Sequence, residues 1–210
     1  ALMEEFPYVS KGGSYSRTIS ADANLGEDGA WTTGETTAHI PTPVVEDAST
    51  YYPDVTLTTS ANATLTVNEN ATFGKTTFEG SGTLTIAANE GHSLNIGGAV
   101  LIYSNVVVKF GAMDMSTSPV TKGADAYLTF DFSDFNFNKV YTTTKYQLTG
   151  LIGQDDTHIN AIGLPEDDDN RTYVFEFDDN HYWLTVTVRA PQTVYAPSGT
   201  TEIEDDMPVK

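Results

Sequence analysis

Val55-Thr56-Leu57-Thr58-Thr59-Ser60-Ala61-Asn62-Ala63-Thr64-Leu65-Thr66-Val67 decides the fold class. Apolar side chains recur at every second position, the period of a strand with one buried face, and Ser60-Ala61-Asn62 interrupts them as a turn. Further along, Leu84-Thr85-Ile86 matches Val55-Thr56-Leu57, and Leu94-Asn95-Ile96 matches Leu65-Thr66-Val67. Val100-Leu101-Ile102 then matches Ala71-Thr72-Phe73 at the same offset of 29 residues. Apolar-x-apolar triplets repeating in one order predict the stacked rungs of a β-solenoid, with turns at Ser60-Ala61-Asn62, Asn68-Glu69-Asn70 and Gly80-Ser81-Gly82. Met113-Asp114-Met115 stands where a third, degenerate rung would open.

Outward from this stretch the chain stays strand-like. Thr, Asn, Gly and β-branched residues dominate, and no segment carries a helical period. Residues 1–54, rich in Gly and Pro, read as an irregular N-terminal cap, and 55–125 as the solenoid-like repeat region. Residues 126–189 read as an antiparallel hairpin region, with strand candidates at Tyr127–Phe132, Tyr146–Ile152, Tyr173–Phe177 and Tyr182–Val188. The last two flank Asp178-Asp179-Asn180-His181, a tight-turn sequence, and such a hairpin is suited to closing the open end of a stack. Residues 190–210, with three prolines and Glu202-Ile203-Glu204-Asp205-Asp206, read as a flexible acidic tail. The expected fold is all-β: a short right-handed β-solenoid continuing into antiparallel hairpins, with a two-sheet jelly-roll-like β-sandwich as the alternative.

Gly80-Ser81-Gly82-Thr83-Leu84-Thr85-Ile86 resembles the core of bacterial autotransporter-associated β-strand repeats. Ala61-Asn62-Ala63-Thr64-Leu65-Thr66-Val67 and Leu94-Asn95-Ile96-Gly97-Gly98 are similar to the same pattern. The resemblance covers residues 55–110 and 126–189. It implies a right-handed β-helix passenger on an exported protein at the surface of a Gram-negative bacterium. The family pattern is one of strands and turns and transfers no catalytic residue.

Composition narrows the function further. Ten Lys and Arg against 29 Asp and Glu give a net charge of -19. Nucleic acid and anionic membrane surfaces both need clustered cations, so neither is an expected partner. The longest apolar run, Ala99–Tyr103, is far short of the roughly 18 residues that span a bilayer, so no membrane insertion is expected. The chain opens on Ala1-Leu2-Met3-Glu4-Glu5 without a basic or apolar leader, and an export signal is expected to have been removed or to lie outside this sequence. There is no cysteine, hence no disulfide and no thiolate metal site.

No Gly-x-Ser-x-Gly elbow, P-loop or His-Glu-x-x-His appears, and His39, His92, His158 and His181 show no metal-ligand spacing. Nothing marks the chain as an enzyme. Were it a secreted acid hydrolase of glycoproteins, an aspartic-type peptidase or a glycosidase using paired carboxylates, Asp131 and Asp134 would be the candidate pair. Solvated or turn carboxylates are the plainer explanation of that pair. Asp167, Asp168 and Asp169, with Asp178 and Asp179 across one strand, form a candidate calcium site, since that hard cation prefers clustered oxygens. Trp183, Trp31, Tyr51 and Tyr52 are candidate sugar-stacking residues. Trp183 alternates out of phase with Tyr182 and Leu184 and so is expected to face outward. These features predict a secreted or surface structural or adhesive module whose partner is a host or matrix glycoprotein or polysaccharide, of mucin type. A subunit of an extracellular assembly joined by strand addition is the further alternative.

Overall fold

A computed structural model describes residues 8–10, 13–34 and 49–189. Its strands, in chain order, are β1 Tyr8–Ser10, β2 Ser14–Ile19, β3 Ala23–Asn24, β4 Thr32–Thr33, β5 Ser49–Thr59 and β6 Ala63–Val67. Then come β7 Ala71–Gly80, β8 Thr83–Ala88, β9 Leu94–Ile96, β10 Val100–Ile102, β11 Asn105–Lys109 and β12 Met113–Asp114. The rest are β13 Val120–Lys122, β14 Leu128–Asp131, β15 Thr144–Gln147, β16 Ile159–Ile162, β17 Arg171–Asp178 and β18 His181–Val188. They form a β-solenoid of about four turns followed by an antiparallel sheet.

Each turn presents three faces. The first stacks the start of β5, the start of β7, β9 and β12 in parallel. The second stacks β2, the ends of β5 and β7, β10 and β13. The third runs β3, β6, β8, β11, β14, β16. Its inner rows show why these residues form it. Leu65, Ile86, Val108 and Phe130 lie in register, as do Ala63, Leu84, Val106, Leu128 and Ile159, and all are buried. Each large side chain so enclosed contributes roughly 1.5–3 kcal/mol.

The register differs from the 29-residue offset expected from the triplets. Leu65 lies beside Ile86, 21 residues on, and Val106 beside Leu128, 22 on. A shift of 29 carries a strand to the next turn and also one face around the coil. All three faces feed one core, so their strands share the apolar-x-apolar pattern and the shift is invisible in sequence. The coil also reaches beyond residues 55–125. β1, β2 and β3 supply its first turn, while β14 and β16, within the expected hairpin region, are parallel members of the third face. Tyr146–Ile152 divides likewise: β15 ends at Gln147, and Thr149 and Ile152 bridge in parallel to Met115 and Val120. The acidic tail lies outside the described residues.

The corner between the first and second faces is built on backbone contact. Pro53, which has no N–H to donate, sits at this corner in β5. In the next turn stands Gly74, where a Cβ would lie 2.1 Å from the Pro53 carbonyl oxygen. In the turn after that, a Cβ on Gly98 would lie 2.7 Å from backbone atoms of Gly74 and Lys75. Further on, one at Gly150 would meet the Ser118 backbone at 2.4 Å.

Both ends of the coil are sealed with rings. At the start, Tyr15, Trp31, Tyr52 and Phe73 pack edge to face or tilted, and Arg17 lies over the Trp31 ring while donating to the Leu25 carbonyl and Glu27. At the far end β15, β18 and β17 form the antiparallel cap, with Tyr182, Leu184 and Val186 turned into the common core. The expected hairpin is present, its turn placing Asp179 and Asn180 at positive φ, the conformation of a type I′ turn. The N–H groups of Leu148 and Ile152, on the last turn, donate to the carbonyls of Tyr182 and Asn180, so the cap pairs an edge that would otherwise be open.

Candidate functional site

The corner between the second and third faces opens into a cleft of about 370 Å³. Its shape follows from unequal turns. At residues 80–82 the chain hugs the turn below: Gly80 takes φ 113°, and a Cβ on Gly82 would strike the Ala61 backbone. One turn on, the corner is the short Tyr103-Ser104; the next, residues 123–127, is longer, with its Gly123 N–H donating to the Ile102 carbonyl. Ser81, Tyr103, Asn105 and Asp125 line the gap, and Tyr103 packs its ring over Gly123. Tyr103 is 49 % exposed and Tyr127 44 %. The Tyr127 ring stacks on the His158 imidazole at 4.3 Å, and its N–H donates to Asn105 Oδ1.

The outer wall of the cleft is bolted from below by Lys122, whose side chain is only 2 % exposed. Its ammonium donates to the carbonyls of Gly123 and Ala126, both at 2.7 Å, and lies 3.0 Å from Asp156 Oδ2. His158 Nδ1 lies 2.8 Å from the Ala124 carbonyl, which assigns the proton to Nδ1. The His158 backbone N–H and then Lys122 hold the Asp156 carboxyl below the usual carboxylate range. Tyr182 donates its hydroxyl to Asp155 and accepts the Asp156 N–H. Burial, followed by the Asp155 carboxylate, pushes its phenol well above the ordinary value. Loop, coil and cap thus meet beneath a surface formed by Tyr103 and a set of hydroxyl, amide and carboxylate groups, with Tyr127 beside it.

A second, more apolar cavity of about 510 Å³ lies between the last turn and the cap. Val108, Phe110, Met113, Phe130, Tyr146 and Leu148 wall it, with Asp114, Lys145 and Gln147 on the rim. No family model, curated protein or solved structure matches this chain.

The candidate stacking residues part company. Trp183 is outward on β18 and half-buried; its Nε1 donates to the Asp178 carbonyl at 3.0 Å and Lys145 Nζ sits 4.2 Å from its ring centre. Trp31 and Tyr52 instead belong to the aromatic seal at the start of the coil. Tyr52 is completely enclosed, its hydroxyl donating to Glu69, because position 52 points inward in register with Phe73. A ring so enclosed has no face for a sugar. Tyr51 is half-buried and points the other way.

Asp131 and Asp134 do come together, across the Lys109 ammonium at 3.5 and 3.0 Å. Burial would raise the Asp131 carboxyl, but the Ser133 hydroxyl and N–H, with Lys109, outweigh it and hold it below the usual range. A general acid requires the opposite shift. The side chain of Asp134 is 78 % exposed.

Two of the five carboxylates proposed for calcium, Asp167 and Asp168, cap loop N–H groups. Asp168 accepts the N–H groups of Asn170 and Arg171, and these bonds lower its carboxyl. Asp167 accepts the Tyr173 N–H, Asp178 lies 3.7 Å from Lys145 Nζ, and Asp169 and Asp179 are exposed. Among the described residues no three His, Asp or Glu side chains converge as a metal site.

These carboxylates set an acid response. Folded-state values below the unfolded ones contribute stability above about pH 4, and that contribution drains away as pH falls through the lowered values. Acid unfolding followed by circular dichroism is expected to show a loss that sets in below about pH 4. Asp156→Asn, which removes one depressed carboxyl, is expected to flatten that limb.

Sequence reasoning passed over Tyr103, Tyr127 and His158. The signal was available for Tyr127: it alternates out of phase with the inward Leu128 and Phe130, the argument that singled out Trp183.

Proposed function

We propose that this chain is a structural or adhesive β-solenoid module of a secreted or cell-surface bacterial protein, and that its corner cleft binds glycans of a mucin-type glycoprotein or matrix polysaccharide. One observation carries the reading. The half-exposed Tyr103 ring lines a cleft with Ser81, Asn105 and Asp125, Tyr127 follows directly on its outer wall, and carbohydrate recognition needs ring faces for the C–H side of a sugar and fixed polar groups for its hydroxyls. The anchored wall supports it, because a pre-ordered loop binds without an ordering cost. The likeness of Gly80–Ile86 and Ala61–Val67 to autotransporter-associated repeats supports the surface location.

Calorimetric titration with mucin-derived oligosaccharides and common polysaccharides tests this. Tyr103→Ala is expected to weaken binding by about fivefold, the scale of one ring contact, with the fold intact. Equal affinity in Tyr103→Ala and Asp125→Asn protein removes the cleft from the account. Glycan or glycoprotein cleavage that is lost in Asp131→Asn or Asp134→Asn protein replaces recognition with hydrolysis.

A further inference from the structure

The apolar cavity occupies the place of a missing strand. On the first face β12 is the last strand, hydrogen-bonded to β9 on one side and to no strand of the described residues on the other. The Leu94 N–H donates to the Ala112 carbonyl, so in a parallel ladder the N–H and C=O of the intervening Met113 point away from β9, toward the cavity. Pairing resumes only at Met115, which bridges to Thr149 and takes the Gly150 N–H on its carbonyl. Before that bridge the chain has left the coil as β15, which pairs with β18 in the cap. The two strands therefore fork, and the space between them is the cavity of about 510 Å³ bounded by Met113 and Asp114 on one arm and by Lys145, Tyr146, Gln147 and Leu148 on the other.

We propose that this fork is a strand-addition site for an extended, basic segment of a partner polypeptide. The register specifies its chemistry. A residue laid beside Met113 continues the inward row Leu94–Met113 and drops its side chain into a cavity walled by Val108, Phe130 and Leu148, so it is apolar. The following residue continues the outward row Asn95–Asp114 and stands beside an exposed carboxylate, so it is Lys or Arg. The Met113 N–H and C=O supply the main-chain bonds that give such complexes affinity, and the cavity and Asp114 supply the side-chain preference. The one cation on the rim does not oppose this: Lys145 is turned to the outer face of the cap, over Trp183 and 3.7 Å from Asp178. A net charge of -19 steers basic chains toward the protein as a whole. The site is separate from the glycan cleft and stands or falls independently of it.

Fluorescence anisotropy with labelled peptides tests the proposal. A six-residue peptide alternating valine and lysine is expected to bind at least tenfold more tightly than the same peptide with aspartate in place of lysine. N-methylation of the central valine, which blocks main-chain pairing, is expected to cost about tenfold, and Asp114→Lys in the protein about the same. Asp114 is exposed and its Oδ1 accepts the Ser116 N–H, a turn bond whose loss leaves the core untouched, and amide exchange in the unaltered protein gives an independent reading: the Met113 N–H is expected to slow on binding. Affinity indifferent to both N-methylation and Asp114→Lys overturns the proposal. Binding without slowed exchange at Met113 overturns it as well, since the peptide then sits elsewhere.

Discussion

Gly74→Ala is expected to destabilise the protein by about 3 kcal/mol or more, while Gly97→Ala leaves stability unchanged or slightly higher. The two residues lie on adjacent turns, Gly74 buried within β7 and Gly97 exposed just after β9, and they differ most in what a side chain would meet. A methyl group on Gly74 would sit 2.1 Å from the Pro53 carbonyl oxygen, whereas on Gly97 it would be 3.8 Å from the nearest atom, the Phe73 carbonyl oxygen. The clash at Gly74 is with backbone, which cannot rotate aside as a side chain does. Relief requires the two turns to part at the corner, weakening the ladders on both faces that meet there. At 2–4 °C per kcal/mol for a chain of this size, the melting temperature of Gly74→Ala is expected to fall by about 10 °C. Urea unfolding of both variants measures the difference. Equal stability would mean that the turns do not stack at Pro53, Gly74 and Gly98.

Lys122→Ala is expected to cost about 2–3 kcal/mol and, separately, to loosen the corner cleft. The ammonium is nearly sealed from water and satisfies the Gly123 and Ala126 carbonyls together with the Asp156 carboxylate. Its removal leaves three acceptors facing a hole. Asp156 is partly solvated and recovers some hydration, so the loss is smaller than for a fully buried pair. Residues 123–126 form the outer wall of the cleft, and proteolysis or amide exchange in this loop is expected to rise along with the fall in stability. Lys122→Arg keeps the charge but not the compact fit between two carbonyls, and is expected to restore only part of either property.

The sequence discloses the class of fold through alternation and the cap through one turn. Val55–Val67 reads as half-buried strands because its apolar residues face a single core, and Asp178–His181 reads as a hairpin because Asp179 and Asn180 tolerate positive φ. The register is hidden for the same reason that the class is visible: three faces with one core print the same triplet. Corner geometry is the missing information. Pro53, Gly74 and Gly98 mark it, yet their spacing varies with the length of each turn. The outward orientation of Trp183 follows from alternation alone, and that argument applied to Leu128 and Phe130 would have found Tyr127. Nothing local predicts that Lys122, one polar residue among many near a strand end, is buried, or that Tyr52 rather than its neighbour Tyr51 points inward. Both depend on which residues stack above and below. Carboxylate clusters are hard to read in sequence because Asp and Asn also cap the turns of a coil, as Asp22, Asn62 and Asn105 do for Thr64, Thr83 and Tyr127.

The central functional claim is that the cleft at the second corner recognises sugar, and the most direct test is a nuclear magnetic resonance titration of isotope-labelled protein with a mucin-derived oligosaccharide. Saturable shifts at Ser81, Asn105 and Asp125 and in the Tyr103 and Tyr127 rings, lost in Tyr103→Ala protein, are the predicted result. Saturable shifts confined to the outer face of the cap around Trp183, or none at any site across the oligosaccharides tried, would contradict it.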